Sequence, residues 1–272
     1  MSYALADLLN LMARLRAPDG CPWDQKQTFK SILPYTLEEA YEVADAIEHE
    51  QTAQLEEELG DLLFQIVFYA QIGKEQGDFD FDSIVNKLTE KLVRRHPHVF
   101  PSGQLYADAG AELALSEAEI AQQWEAIKQT ERNDKNKARV LDDVPKALPS
   151  LNRAYKLQKR AAGVGFDWPD PMGALDKLEE EIKELREAYQ SGDIAAIQDE
   201  MGDCLFAQVN IARHFGVKPD DALRSTNLKF ERRFNFVEDC VSASGQAWSD
   251  YSLAELDAFW DEAKAQEKLN KA

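Results

Sequence analysis

Cysteine and histidine are scarce in this chain of 272 residues. The three cysteines, Cys21, Cys204 and Cys240, are odd in number and far apart, and no CxxC pair occurs. Such usage is typical of a reduced protein without a disulfide framework, so we expect a cytoplasmic location.

Long apolar runs and an excess of basic residues are also missing. The most apolar stretch, residues 62–70, contains Gln65 and is too short to cross a bilayer. The first residues, with Asp7 and Arg14, predict the start of a helix rather than a signal peptide. The chain has 50 acidic and 31 basic residues, a formal net charge of −19. This charge repels nucleic acid and anionic membranes, so neither is expected as a partner.

Apolar residues recur at helical spacing along most of the chain, and no stretch shows sustained period-two alternation. The pattern predicts an all-α fold. The predicted helices cover residues 3–16, 36–50, 52–74, 81–95, 116–130, 144–162, 172–190, 194–215, 219–240 and 252–268, with turn-rich loops at 17–24 and 163–169.

Three sequence blocks occur twice in the same order, which indicates an internal duplication. The matching blocks are Glu58–Phe64 with Glu200–Phe206, Lys91–Arg95 with Lys229–Arg233, and Ser116, Glu119, Trp124 and Lys128 with Ser252, Glu255, Trp260 and Lys264. With a linker at 131–139, we predict two copies of one helical module, 1–135 and 136–272. One module would expose much of its apolar face, so the two copies are expected to pack on each other or on copies in another chain. Either arrangement predicts four-helix-bundle-like packing and favours a homo-oligomer.

Four carboxylates in each copy keep the same spacing, with steps of 3, 16 and 3 residues. They are Glu39, Glu42, Glu58 and Asp61 in the first copy and Glu181, Glu184, Glu200 and Asp203 in the second. A step of three places two carboxylates on one helical face, so two antiparallel helices would aim all four at one point. Such crowding requires a cation. A solvated acidic face explains one such motif, but its repetition in register favours a metal site.

Oxygen ligands alone predict a hard cation, Mg²⁺ or Mn²⁺. A di-iron bundle would require Glu-x-x-His motifs. None of the four histidines, His49, His96, His98 and His214, has a Glu three residues before it. The sequence therefore argues against iron oxidation chemistry and against a zinc site.

Two Lys–Arg pairs are candidates for binding phosphate. Lys229 with Arg233, and Lys91 with Arg95, lie four residues apart on one helical face. Each pair can either grip phosphates or pair with nearby acids. Weaker candidates are Lys128, Lys177 and Lys264.

Tryptophans supply candidate stacking surfaces for a base. Trp260 and Trp124 precede Lys264 and Lys128 by one helical turn, and core packing is the alternative role for both. Trp23 and Trp168 lie in the turn-rich loops, where they could close a pocket or cap a core.

The sequence contains neither a Ser or Cys nucleophile with a motif-placed His nor a P-loop. A metal-activated water is the remaining nucleophile, and a spare carboxylate can accept its proton. Glu38 and Glu180, each directly before a ligand candidate, are the candidate proton acceptors.

These motifs resemble the MazG nucleotide pyrophosphohydrolases of the all-α NTP pyrophosphatase superfamily. The blocks that carry the likeness are GCPWDQ at 20–25, TLEEAYE at 36–42, ELGDLLF at 58–64, VGFDW at 164–168 and KFERRF at 229–234. The resemblance covers nearly the whole chain, including both copies.

The resemblance implies hydrolysis of a nucleoside triphosphate to the monophosphate and pyrophosphate with Mg²⁺, a wide tolerance of bases and a homodimer. It implies that Glu181, Glu184, Glu200 and Asp203 hold Mg²⁺, that Lys229 and Arg233 grip phosphates, that Trp260 contacts the nucleotide, and that residues 177–181 border the triphosphate. The sequence does not fix the dimer geometry, so Lys128 is a candidate to complete a pocket of the other half or chain. In two-domain members the C-terminal half looks like the competent one. We therefore expect the N-terminal cluster to bind metal without turnover.

A second hypothesis is a helical interaction protein whose acidic clusters bind cations or a basic partner. The repeated register favours the enzyme, since a partner-binding face requires no such spacing. No residue that reads the edge of a base is identifiable from the sequence.

Overall fold

The computed structural model describes residues 2–106, 115–134 and 139–269. Within these ranges the structure is helical, with one 3₁₀ turn at Trp248–Asp250 and no strand, which confirms the predicted all-α class. The helices are α1 Leu5–Leu15, α2 Pro22–Lys26, α3 Phe29–Glu48, α4 Thr52–Gln76, α5 Phe81–Arg95, α6 Glu117–Asp134, α7 Ser150–Ala162, α8 Pro171–Ser191, α9 Ile194–His214, α10 Pro219–Ser244 and α11 Leu253–Leu269. In the described part of the chain, no helix combines the length and apolar character needed to cross a membrane.

The chain forms two compact units, Met1–Glu131 and Arg132–Ala272. Each unit is built on a helical hairpin, in which α3 packs along α4 and α8 packs along α9. The helices of the two hairpins start 142 residues apart, at Phe29 and Pro171 and at Thr52 and Ile194. Positions on the two hairpins can therefore be compared at this offset.

The turn between α8 and α9 consists of two residues, and local chemistry fixes it. Gly192 ends α8 in the left-handed region, with φ of 74°, where a side chain would be strained. The Asp193 side chain accepts hydrogen bonds from the backbone N–H groups of Ala195 and Ala196 and so caps α9. A turn this short keeps the two helices side by side.

The core of the first unit lies between α1, α3 and α4. Met12, Ile32, Val67, Phe68 and Ile72 form it, and each is 2% exposed or less. The apolar face of α1 supplies Met12, which closes the core from outside the hairpin.

The second unit has smaller side chains at its buried positions. Its buried apolar residues are Val144, Ala174, Ala188, Cys204, Ala207, Val209, Val237, Val241 and Ala263. None of them is aromatic, in contrast to Phe68 in the first unit. Small residues fill less volume, and two of them, Ala174 and Ala207, line a cavity beside the candidate site.

The expected start of α3 at Thr36 is wrong, because the helix begins at Phe29. Thr28 and Ser31 cap it reciprocally: the Thr28 hydroxyl accepts from the Ser31 N–H at 3.2 Å, and the Ser31 hydroxyl accepts from the Thr28 N–H at 2.8 Å. Pro34 lies inside the helix, near its N-terminus, where it removes one backbone hydrogen bond without ending the helix.

Three other expectations about boundaries are also wrong. Residues 22–26 form α2 inside the predicted loop, since Pro22 is favourable in a first helical turn. Helix α7 begins at Ser150, after Pro149, and not at residue 144. Helix α6 continues to Asp134, into the predicted linker, because Glu131 is pinned to α5 by ion pairs. Residues 135–138 of that linker lie outside the described residues.

Candidate functional site

Three carboxylates of the first unit meet between α3 and α4. Glu39, Glu58 and Asp61 each place one oxygen within 4.8 Å of the others. Glu42, the fourth predicted ligand, lies outside this group, but desolvation and then the charges of Glu58 and Glu39 raise its pKa. The Gln65 amide donates to Glu39 Oε1 at 3.3 Å.

The second unit builds the corresponding cluster between α8 and α9. Glu181, Glu184 and Glu200 come within 4.8 Å of one another, and Glu181 is 5% exposed. The pKa values of Glu184 and Glu200 are both raised, first by desolvation and then by the charge of Glu181. This is the behaviour of carboxylates crowded together with too little positive charge. Asp203, the fourth predicted ligand, lies outside the group of three.

The Lys177 ammonium group supplies part of the missing charge. Its Nζ lies 2.8 Å from Glu181 and 3.1 Å from Glu180, and the hydrogen bond to Glu181, followed by that to Glu180, raises the pKa of Lys177. The corresponding residue of the first unit is Tyr35, which has a phenol group in place of the ammonium group. Only the second of the two described clusters therefore has a lysine at this position.

Both clusters fit a hard divalent cation better than a soft one. Each brings oxygen atoms of three carboxylates, from two helices, to one point. The nearest thiol, Cys204, is buried, and desolvation followed by the charge of Glu181 raises its pKa, which keeps the thiol protonated. Carboxylate oxygens alone suit a hard divalent cation, and neither of the two described clusters contains the His or Cys ligands that are usual in zinc sites.

A cavity of about 640 Å³ opens beside the second cluster. Glu181, Asp203 and Lys177 line it next to the cluster, the ion pair of Asp167 and Arg213 also borders it, and apolar side chains such as Leu157 and Phe206 form much of the remaining wall. A volume of this size, with both charged and apolar lining, matches a site for a small organic ligand that carries charge.

Larger side chains occupy the equivalent positions of the first unit. The cavity residues Ala174, Ala207 and Asn210 correspond to Ile32, Gln65 and Phe68 at the offset of 142. Ile32 is 1% exposed and Phe68 is fully buried, and both belong to the apolar core. The first unit therefore keeps the carboxylates but fills the space that the second unit leaves open.

Two aromatic residues of the loop between α7 and α8 border the cavity. Phe166 and Trp168 line it while remaining largely exposed, at 82% and 44%. Trp168 lies against Gly173, where a Cβ atom would come within 3.1 Å of the indole. Glycine thus lets the indole pack closely against the first turn of α8, and of the two predicted roles for Trp168 the structure favours closing a pocket.

The predicted phosphate ligands on α10 have acidic partners of their own. Arg233 donates to Glu267 at 2.7 Å, and its guanidinium lies over the Trp260 ring at 5.6 Å. Trp260 also packs on Phe230, with ring centroids 5.2 Å apart. Lys229 is half-buried one turn before Arg233. None of these five residues lines the cavity beside the described carboxylates of the second unit.

The first unit repeats this arrangement. Arg95 pairs with Glu131 at 2.6 Å, and Trp124 packs on His96, with centroids 5.0 Å apart. The hydrogen bond from Arg95 lowers the pKa of Glu131 most, and the hydrogen bond from Arg94 lowers it further. Burial acts in the opposite direction, but the resulting pKa is about 2. The Lys128 side chain lies outside the described residues, so its predicted role is unchanged.

Gln158, Phe166, Asn210 and Arg213 of the cavity wall are absent from the sequence-based site. A signal for one of them was available in the comparison of the two copies, where Phe68 gives way to Asn210 while the carboxylates stay constant. A large residue replaced by a small or polar one at a core position indicates that the space has another use.

Comparison with known proteins assigns the family. The model of the MazG nucleotide pyrophosphohydrolase domain matches residues 27–100 and 171–237, which include both hairpins. A nucleoside triphosphate pyrophosphohydrolase of Escherichia coli strain K12 is 51% identical over 263 residues, covering 96% of this chain and 97% of that protein. A Thermotoga maritima protein named nucleoside triphosphate pyrophosphohydrolase/pyrophosphatase MazG is 40% identical, covering 95% and 94%. Two matched domains and relatives of nearly equal length show that this chain belongs to the MazG nucleotide pyrophosphohydrolase family.

Proposed function

We propose that this chain is a Mg²⁺-dependent pyrophosphohydrolase that converts a nucleoside triphosphate and water to the monophosphate and pyrophosphate. The observation that carries the proposal is the cavity beside Glu181 and Asp203, since it joins a metal-binding carboxylate group to a space for a nucleoside. The names of the full-length relatives support the same reaction class.

The C-terminal unit is the proposed catalytic half. Glu181, Glu184, Glu200 and Asp203 would hold Mg²⁺ or Mn²⁺. When bound, the ion would neutralise phosphate charge and orient an attacking water. Glu180 is exposed beside this group and would accept a proton from the water at a carboxylate oxygen.

Cations of the same unit would bind the phosphates. Lys177 already lies at the boundary between the carboxylates and the cavity, so its Nζ can exchange Glu181 for a phosphate oxygen. Lys229, Arg233 and Trp260, with Lys128 from another half or chain, are proposed to contact the nucleotide from a second side. Arg233 would then exchange Glu267 for phosphate, one acidic partner for another.

The aromatic rings at the cavity mouth would hold the base. Phe166 and Trp168 present exposed ring faces, and stacking on such faces tolerates different bases. This supports activity on several nucleotides, in keeping with removal of surplus or aberrant members of the nucleotide pool.

The N-terminal unit is proposed to bind a cation at Glu39, Glu42, Glu58 and Asp61 without turnover. Its equivalent of the cavity is filled by Ile32 and Phe68, which supports this division. We further propose a cytoplasmic homodimer. Exposed apolar residues on α8 and α9, among them Ile182, Met201 and Leu205, supply a face for a second copy.

The direct test is incubation with ATP and Mg²⁺ followed by identification of the products. AMP with pyrophosphate is the expected result. ADP with phosphate would replace this reaction by another, and no turnover with any nucleotide would favour the interaction-protein hypothesis.

A further inference from the structure

A partly buried ion pair joins the loop between α7 and α8 to helix α9. Asp167 of the loop accepts hydrogen bonds from Arg213 at both carboxylate oxygens, and the bond from Nη1 to Oδ2 is 2.9 Å long. The side chains of Arg213 and Asp167 are 12% and 25% exposed. Two parallel hydrogen bonds between a guanidinium and a carboxylate fix orientation as well as distance. This pair therefore holds the loop more firmly than an ion pair in open solvent would.

Other groups fix both members of the pair. The Trp168 N–H donates to Asp167 Oδ1 at 3.0 Å, and His214 Nε2 lies 3.2 Å from the same oxygen. On the other side, Arg213 Nε donates to Asn210 Oδ1 at 3.0 Å. Arg213 and His214 both belong to the last turn of α9. The loop is thus tied to the end of this helix by a network and not by a single bond.

The residues on either side of Asp167 are the two aromatic residues that border the cavity. Phe166 is 82% exposed, so packing contributes little to the position of its ring. Its N–H donates to the Ala161 carbonyl of α7 at 3.1 Å, which fixes the loop on one side. The ion pair of Asp167 fixes the loop on the other side, at α9. Together these contacts determine where the rings of Phe166 and Trp168 lie.

Helix α9 carries both this anchor and two of the candidate metal ligands. Glu200 and Asp203 precede Arg213 by thirteen and ten residues. A helix rises about 1.5 Å per residue, so the anchor lies roughly 15–20 Å along the axis from these carboxylates. Asp203 and Arg213 both line the cavity. An anchor on α9 therefore holds the aromatic loop at a set distance from the carboxylates.

The first unit has other residues at the positions of this anchor. Gln71 and Ile72 correspond to Arg213 and His214 at the offset of 142. Gln71 donates to Glu75, one turn along its own helix, at 2.8 Å. Both units share the hairpin, but the unit with the cavity has the arginine and the histidine at these positions. This difference supports a role in ligand binding, since the hairpin forms without these two side chains.

We propose that Asp167 and Arg213 are positioning residues, whose ion pair holds Phe166 and Trp168 at the cavity mouth for contact with the nucleoside. The inference rests on the proposed function, in which the phosphates lie at the carboxylates. Rings that are held in place before binding lower the entropy cost of ordering the loop around the nucleotide. Stacking on rings tolerates different bases, so the pair should assist the binding of purine and pyrimidine nucleotides alike.

The variant Asp167→Asn tests this role, because it keeps the size of the side chain and removes the charge that Arg213 pairs with. In the whole chain with Mg²⁺, KM for ATP should rise about tenfold with little change in kcat, and KM for CTP should rise as well. Pyrophosphate has no base, so its inhibition constant against ATP should stay at the wild-type value. An unchanged or lower KM for ATP, or an equal rise in KM and in the inhibition constant, would overturn the proposal.

Substitutions of the arginine give a second test. Arg213→Lys keeps the charge but loses the planar fork, so it should raise KM for ATP less than Arg213→Gln does. The matched control is Glu75→Gln, which breaks the ion pair of Arg16 and Glu75, 2.7 Å long, in the first unit. This control should leave KM for ATP unchanged. A comparable rise in the control would show that loss of an ion pair anywhere in the chain produces the effect, and would contradict the positioning role.

Two measurements without turnover separate failure of this inference from failure of the proposed reaction. The α,β-methylene analogue of ATP cannot be cleaved between those phosphates, and calorimetric titration with Mg²⁺ should find it bound about tenfold more weakly by Asp167→Asn. Backbone hydrogen exchange of residues 163–170 in the ligand-free protein should be faster in the same variant. If no nucleotide is hydrolysed but both differences are found, the reaction is wrong and the positioning role stands. If either quantity stays at the wild-type value, the positioning role is wrong.

Discussion

The two units of this chain share a hairpin and a carboxylate register, but they differ in what lies beside the carboxylates. In the N-terminal unit Ile32 and Phe68 are buried in an apolar core, and in the C-terminal unit Ala174 and Asn210 border an open cavity. The space that stabilises one copy is available to a ligand in the other. After a duplication, one copy can keep large buried side chains beside its carboxylates while the other replaces them with smaller ones. The carboxylates alone therefore do not show which copy has room for a ligand.

The units also differ in how their acidic charge is compensated. Lys177 lies 2.8 Å from Glu181, whereas the matching Tyr35 has a phenol group in place of the ammonium group. In the first unit the neutral amide of Gln65 approaches Glu39 instead. The second cluster therefore has a cationic side chain next to its carboxylates, and the described first cluster has a neutral amide instead.

The largest difference is expected from a matched pair of carboxylate variants. Glu200→Gln should lower kcat/KM roughly a hundredfold or more, because a lost ligand removes several kcal/mol of charge stabilisation in the transition state. Glu58→Gln, the same change at the same position of the other copy, should leave most of the activity. Steady-state kinetics with ATP and Mg²⁺ measures both, and equal losses would remove the distinction between the halves.

A second pair tests the difference in packing. Phe68→Ala should destabilise the N-terminal unit by about 3–5 kcal/mol, since it empties a fully buried site. Phe206→Ala in the C-terminal unit should cost about 1 kcal/mol or less, because Phe206 is 44% exposed. Denaturant unfolding followed for each unit gives the two values. Similar losses would mean that the cavity wall carries as much of the stability as the core does.

A third test fills the cavity with the residue of the other copy. Ala207→Gln introduces the side chain that Gln65 has at the equivalent position and should raise KM for nucleotides about tenfold. The reverse change, Gln65→Ala, should not alter KM. Thermal unfolding of both variants serves as the control for correct folding, and an unchanged KM in Ala207→Gln would show that the nucleoside binds elsewhere.

The smallest expected effect is a pH-dependent gain in stability from Mg²⁺. The raised pKa values of Glu184 and Glu200 mean that their contribution to stability is greatest below the ordinary value of 4.5 and is lost as the pH rises through the raised native values. A bound cation favours the ionised form. Mg²⁺ should therefore raise the Tm of the C-terminal transition by about 2–4 °C more at pH 7 than at pH 4.5. In the N-terminal unit the pKa of one ligand candidate, Glu42, is raised, so calorimetry should find a smaller difference there.

The sequence predicts those features that depend on spacing. The helical class, the duplication and the approach of the carboxylates follow from periodicity and from steps of 3, 16 and 3 residues, because helix geometry converts spacing into direction. The start of α3 does not follow, since Pro34 is compatible with a helix once Thr28 and Ser31 cap it upstream. Local propensity identifies Pro34 as a residue that often ends a helix, but it does not show whether the helix continues through this position.

The cavity could not be predicted from motifs, because it depends on volume. No residue type marks empty space, and Ala174, Ala207 and Asn210 become informative only when compared with Ile32, Gln65 and Phe68. Similarly, the pairing of Arg233 with Glu267 depends on where α11 packs against α10, which the sequence pattern of either helix does not specify.

The ion pair between Lys177 and Glu181 also bears on what happens between one turnover and the next. If the cation left together with the products, the carboxylates would lose the positive charge between them. Their mutual repulsion would then push α8 and α9 apart. An ammonium group on a flexible stem can move in by a side-chain rotation, which takes about picoseconds to nanoseconds. In the proposed reaction, the emptied site would then recover part of its positive charge before the next substrate arrives. This step of the proposed reaction would require only the rotation of one side chain.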